Sequence, residues 1–118
     1  MPRAPGLRPL LRRALADRDV EEALDHYLAK TTRAAEGLVA ALEQAYRHVS
    51  HMPDSGSPRW AHGLNLPGLR AWPLKRYPYL VFYRAQPAQV EVWRVLNTRR
   101  DIPAWLGEED AAGQAPPT

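Results

Sequence analysis

The stretch VEVWRVLNTRRDIPAWL, residues 90–106, alternates apolar and polar residues and then turns to two arginines and a proline. The alternation from Val90 to Leu96 predicts a β-strand with at least one buried face. Arg94 lies inside this apolar strand, so its guanidinium needs a partner or a route to water. A structural salt bridge to Glu91, to Asp101 or to an acid of the helices satisfies that need as well as contact with a partner molecule does.

Two apolar runs precede this strand and resemble it in composition. Gly68 to Leu74 and Tyr79 to Arg84 are rich in aromatic and β-branched residues, and turn-forming residues separate the runs. They predict antiparallel strands joined by hairpins. The early segment GLRPLL, residues 6–11, is a further candidate strand, which Pro9 would confine to an edge or a bulge.

Helical periodicity dominates the first half of the chain. Apolar residues spaced i, i+3, i+4 predict one helix over about 13–29 and a second from Thr31 or Thr32 to Ser50. Either threonine suits the N-cap of the second helix. The joint between the helices is short, which favours an antiparallel hairpin.

The predicted fold class is α+β, with an antiparallel sheet packed against an N-terminal helical hairpin in the order β-α-α-β-β-β. A single domain is expected over residues 7–106, since 118 residues suffice for one core. We expect residues 1–6 to be flexible and the acidic, proline-containing tail, residues 107–118, to be disordered.

Composition restricts the function classes. The chain has no cysteine and no apolar run of membrane-spanning length, and its start, MPRAPG, lacks a signal peptide's apolar region. The expected location is therefore the cytoplasm, with no membrane contact. The net charge of +3 is unevenly distributed along the chain: residues 14–50 carry −3, whereas residues 59–106 carry +6. The predicted sheet half holds the positive field.

With this layout, two segments resemble a known family. LRAWPLKRYPYLVFYR, residues 69–84, and the following residues 90–106 closely resemble the C-terminal half of ParE toxins. These belong to the RelE/ParE superfamily of bacterial type II toxin–antitoxin systems. The helical segment, residues 12–56, is also similar to the helix pair of that family. The resemblance spans about residues 7–106, with one departure: Asn97 stands where family members often have histidine.

The resemblance implies partners and two competing activities. ParE-like toxins poison DNA gyrase, whereas RelE-like relatives cut messenger RNA on the ribosome. Each is neutralised by a cognate antitoxin, here a ParD-like one, in a hetero-oligomer that contacts promoter DNA through the antitoxin. No cofactor and no metal site are implied, and the scattered histidines show no set of zinc ligands.

The residues favour the non-hydrolytic activity. Cleavage of RNA needs an acid and a base as well as cations. RelE-like nucleases place alternating basic residues on a central strand, but Trp72 stands two positions after Arg70. The segment after Arg100 offers no tyrosine, histidine or cysteine, so no catalytic residue is predicted. A ribosome-dependent ribonuclease and a non-toxic partner in a repressor complex remain the alternatives.

Two sets of candidate site residues follow. The first comprises basic residues of the sheet half that would bind the target: Arg70, Lys75, Arg76, Arg94, Arg99 and Arg100. The second comprises apolar residues of a predicted loop that would bind the antitoxin: Trp60, Leu64 and Leu66. For the basic residues, solvated surface ion pairs are the competing interpretation.

Overall fold

A computed structural model describes residues 8–99, 102–104 and 106 of the chain. The named elements follow the predicted α+β order, with a 3-10 turn and a short helix added between the second helix and the second strand. They are β1 (Leu10–Arg12), α1 (Ala14–Leu28), α2 (Thr32–His51), a 3-10 turn (Pro53–Ser55), α3 (Arg59–Gly63), β2 (Leu69–Pro73), β3 (Tyr79–Ala85) and β4 (Val90–Asn97).

The four strands form one sheet in the order β1-β4-β3-β2. The pairs β2–β3 and β3–β4 are antiparallel, as predicted. The edge strand β1 differs, because it pairs with β4 in parallel, with Leu10 opposite Val90. Parallel neighbours require a long crossover, and here α1, α2, α3 and two strands intervene between the pair. Pro9 precedes β1 and keeps a ladder bond by accepting from the Val90 amide at 2.9 Å.

The helical hairpin covers one face of the sheet. Thr31 caps α2, where its Oγ1 accepts a hydrogen bond from the Ala34 amide at 3.0 Å. The buried sides of both helices are rich in alanine, so the backbones approach the sheet closely. The residues buried in this core are Ala16, Ala23, Leu38, Ala41, Leu42, Ala45, Leu74, Tyr79, Val81, Val92 and Val95.

A second core lies on the other face of the sheet. Its buried members are Leu66, Leu69, Ala71, Phe82, Trp93, Leu96, Ile102 and Leu106, with Trp60 and Leu64 partly buried against them. The sequence predicted a loop around Trp60, whereas the structure has the short helix α3 there. A helix of five residues is too short to show apolar periodicity, which explains the error. Because both faces are covered, β3 and β4 read as nearly continuous apolar runs.

Among the described residues, no helix combines the length and the apolar character needed to cross a membrane.

Candidate functional site

Arg94 is a buried structural residue. Its side chain reaches α1, where Nε donates to Asp19 Oδ2 and Nη2 donates to Asp19 Oδ1, both at 2.8 Å. Asp19 Oδ2 also accepts from the Val95 amide at 3.0 Å. Only 3% of Arg94 is exposed. The acid of the helices is therefore a partner of Arg94, the alternative that the sequence left open, and the predicted contact with a target would require release of this buried side chain.

Strand β4 is irregular just before Arg94. Phe82 pairs with Arg94, whereas the next residue, Tyr83, pairs with Val92, so Trp93 is the extra residue of a β-bulge. Bulges redirect side chains locally. Arg94 therefore keeps the register of Phe82, and it meets Asp19 at the edge of β4 beyond Val92, the last residue of β4 that pairs with β1.

Arg70 also has an internal role. Its Nη1 donates to the Gly56 carbonyl at 2.8 Å. Tyr83 holds the same segment, because its hydroxyl accepts from the Gly56 amide at 2.9 Å and donates to the Pro53 carbonyl at 2.8 Å. Burial raises the pKa of Tyr83, while the bond from Gly56 and the charge of Arg70 oppose that rise. Arg70 thus positions the loop after α2 and offers less to an outside partner than the sequence predicted.

Three other predicted target-binding cations lie at one end of the sheet. Lys75 and Arg76 are exposed in the turn between β2 and β3, and Arg99 is exposed beyond β4. The two places are adjacent, because Tyr79 pairs with Asn97 and the Thr98 amide donates to the Pro78 carbonyl at 2.8 Å. Arg76 has a left-handed backbone with φ of 68°, which costs a non-glycine residue about 1–2 kcal/mol.

The turn between the two helices adds further positive charge to this end. Arg33 and Arg76 line one open groove together with Tyr77. The Tyr77 hydroxyl donates to the Ala34 carbonyl at 2.8 Å. Lys30 follows α1 and is exposed. We call this region the basic end, defined by Lys30, Arg33, Lys75, Arg76 and Arg99.

Tyr27 links the helices to the end of β4. Its ring packs edge-on against Tyr77, with centroids 5.1 Å apart. Burial raises the pKa of Tyr27, and the nearby charge of Arg99 opposes that rise. No member of the basic end forms a salt bridge with another described residue. Their charges are therefore directed to solvent.

Sequence reasoning missed Lys30 and Arg33. Both lie in the half of the chain whose summed charge is negative, so an average over that half conceals them. The short helical joint was the available signal, because it predicts that the start of α2 lies beside the end of α1. The position of that joint beside the turn between β2 and β3 depends on tertiary packing, which the sequence pattern does not reveal.

We expect Gly37→Ala to loosen the basic end. A Cβ at Gly37 would overlap the hydroxyl of Tyr77, so the ring must shift from its place on α2. Forced repacking of this kind costs about 1–3 kcal/mol, to be measured as a lower urea midpoint. Gly63→Ala is the matched control, since a Cβ there meets no atom within 4 Å. Equal stability of the two variants would contradict the docking of Tyr77.

A cleft of about 210 Å³ lies between α1 and the end of β4. Its polar lining includes Asp19, Glu22, His26, Tyr79 and Asn97. The sequence offers no histidine near the C-terminal end of the domain, yet the fold brings His26 from α1 to the side of Asn97. Asp19 is already bound to Arg94, so Glu22, His26 and the Tyr79 hydroxyl are the titratable groups of this lining with no hydrogen bond or ion pair described.

The residues predicted to bind the antitoxin belong to the second core. Leu66 is buried, with 5% of its surface exposed. Trp60 and Leu64 are half-buried, and the Trp60 ring packs edge-on against Phe82 at 5.3 Å between centroids. Leu66 is therefore a core residue, whereas Trp60 and Leu64 keep partly exposed surfaces. Arg100 lies outside the described residues.

The described part of the chain contains no group of three or more histidine, aspartate or glutamate residues that could hold a metal ion.

The fold is that of a small α+β protein with a helical hairpin on one face of a sheet. A solved structure titled "Chromosomal ParDE TA system from P. aeruginosa" is similar, with a TM-score of 0.64 and 20% identity over 78% of this chain and 97% of that chain. The family model described as ParE toxin of type II toxin–antitoxin system, parDE, matches residues 10–102. The chain belongs to this ParE toxin family. A search of curated proteins found no significant match.

Proposed function

We propose that the protein inhibits DNA gyrase without hydrolysis and that a ParD-like antitoxin neutralises it. The proposal places the protein in the cytoplasm, in a hetero-oligomer with the antitoxin that reaches promoter DNA through the antitoxin's own DNA-binding part. The gyrase target and the ParD-like partner are proposals that go beyond the assignment to the toxin family.

The arrangement of the arginines carries this proposal. Arg94 and Arg70 hold the fold together through Asp19 and the Gly56 carbonyl. Lys75, Arg76 and Arg99 are exposed at one end and form no ion pair with another described residue. Exposed cations on a rigid sheet end suit attachment to an acidic macromolecule.

The second core supports the antitoxin part of the proposal. Trp60 and Leu64 leave part of their apolar surface uncovered next to Arg59, whose guanidinium lies 4.9 Å from the Trp60 ring centroid. Aromatic and arginine side chains are enriched at the centres of protein interfaces. An apolar segment of an antitoxin that covers Trp60 and Leu64 would bury this surface.

A gyrase supercoiling assay tests the target. The variant Lys75→Ala/Arg76→Ala/Arg99→Ala is expected to inhibit gyrase at least about tenfold less well, because a loss of about 1.4 kcal/mol in binding has that effect. The exposed helix residues Arg18 and Arg47 supply the matched control, Arg18→Ala/Arg47→Ala, which should inhibit like the wild type. Full inhibition by the triple variant would contradict the assignment of the basic end.

A second function, a messenger RNA endoribonuclease, is favoured by one observation, the position of His26 beside Asn97. An imidazole there could transfer a proton near the cations of the basic end. Induction of the toxin alone in bacteria separates the functions. DNA damage without RNA cleavage supports gyrase inhibition, and RNA cleavage that His26→Ala abolishes supports the nuclease. Neither effect would point to a non-toxic partner in a repressor complex.

A further inference from the structure

We propose that the basic end binds double-stranded DNA directly, through the phosphate backbone. This inference rests on the proposed function for its setting, since gyrase itself holds a DNA duplex that a bound toxin could contact. The binding is a property of the toxin surface and requires neither gyrase nor the antitoxin.

The charge of this surface is the first argument. Lys30, Arg33, Lys75, Arg76 and Arg99 come from three separate segments and meet at one end of the molecule. Of the described residues that line the groove between Arg33 and Arg76, one is acidic, Glu36. An exposed group of cations with few acids is the electrostatic pattern of a phosphate-binding surface.

The geometry of the supporting residues is the second argument. Lys75 and Arg76 project from a hairpin turn whose Tyr77 is tied to α2 by the hydrogen bond to Ala34. Arg99 follows a strand that pairs with β3 up to its last residue, Asn97. The backbone segments that carry Lys75, Arg76 and Arg99 are therefore held in place by contacts within the fold. Preorganised groups lose less conformational entropy when they bind.

The aromatic residues favour a duplex over a single strand. Proteins that bind single strands stack successive bases on exposed aromatic faces. Here Tyr27 and Tyr77 pack edge-on against each other, and Tyr79 is buried, with 8% exposed. These rings support the surface and offer little area for stacking. Contacts of lysine and arginine with phosphates fix position on a duplex and carry no sequence information, so the binding should be independent of sequence.

Fluorescence anisotropy with a labelled duplex of about 20 base pairs tests the inference. Each phosphate contact contributes about −0.9 to the slope of log K against log salt concentration, so four contacts would give a slope of about −3.6. Lys75→Gln/Arg76→Gln should weaken binding by about tenfold or more and make the slope less steep by about 2. Glu36→Gln should tighten binding, because it removes the acid of the groove.

The exposed pair Arg18→Gln/Arg47→Gln is the matched control and should leave the affinity for the duplex unchanged. Equal loss in both double variants would overturn the inference, as would tighter binding of a single-stranded DNA or RNA of the same length. A wild-type protein that inhibits gyrase but does not bind the free duplex would also overturn it, and would assign the basic end to the gyrase protein. A wild-type protein that binds DNA but leaves gyrase active would instead refute the proposed target alone.

Discussion

Replacement of Asp19 by alanine is expected to lower the free energy of unfolding by about 3–5 kcal/mol, because it breaks a buried bidentate ion pair by removing one of its two members. The side chains of Arg94 and Asp19 are only 4% and 7% exposed, so water cannot take over the role of the carboxylate without rearrangement. The loss of the bond from the Val95 amide adds a second unsatisfied donor. Urea denaturation of the purified variant measures the change.

Asp17→Ala is the control for this prediction. Asp17 pairs with Arg12 at 2.9 Å, but the two side chains are 49% and 50% exposed. Exposed pairs of this kind contribute about 0–1 kcal/mol. A double variant, Asp19→Leu/Arg94→Met, should recover much of the lost stability, since an apolar pair can replace a buried ion pair. If Asp19→Ala proved as stable as Asp17→Ala, the pair with Asp19 would not be what holds Arg94 in the fold, and Arg94 would again be a candidate for target contact.

Phe82→Ala is expected to destabilise the protein by about 3–5 kcal/mol, the usual cost of removing a buried aromatic ring. Phe82 has no exposed surface and lies in the second core, where the Trp60 ring packs against it edge-on. Removal of the Phe82 ring would leave a cavity, and the Trp60 ring would lose the surface against which it packs. Chemical denaturation measures the stability, and near-ultraviolet circular dichroism reports the order of the tryptophan rings.

Leu11→Ala is the control for the aromatic deletion, because Leu11 is 47% exposed on the edge strand and should cost less than about 1 kcal/mol. A small effect of Phe82→Ala would mean that the second core is loosely packed. Trp60 and Leu64 would then lack the ordered surface that the proposed antitoxin contact requires.

The features that the sequence predicted are those that depend on neighbours along the chain. The N-cap at Thr31, the short helical joint and the hairpins of β2 to β4 follow from local periodicity and turn chemistry. Three of the five members of the basic end, Lys75, Arg76 and Arg99, were predicted for the same reason, since they lie at the ends of strands that the sequence pattern predicts.

The remaining features depend on which distant segments meet. The partner of Arg94 could not be selected from the sequence, because several acids were compatible and Asp19 is 75 positions away. The parallel pairing of β1 and the contribution of Arg33 to the basic end are decided by packing between elements. Helix α3, which covers the second face of the sheet, was not predicted because five residues are too few to show an apolar helical periodicity.

The pairing of β1 with β4 has a consequence for synthesis on the ribosome. Strand β1 and the Asp19 carboxylate of α1 both bind residues of β4, the last strand to be synthesised. A nascent chain that has reached only the end of β3 lacks both, and loops of this length close slowly. The chain can therefore reach its native fold only after β4 has been synthesised. Any toxic activity that needs the native fold must also follow that step.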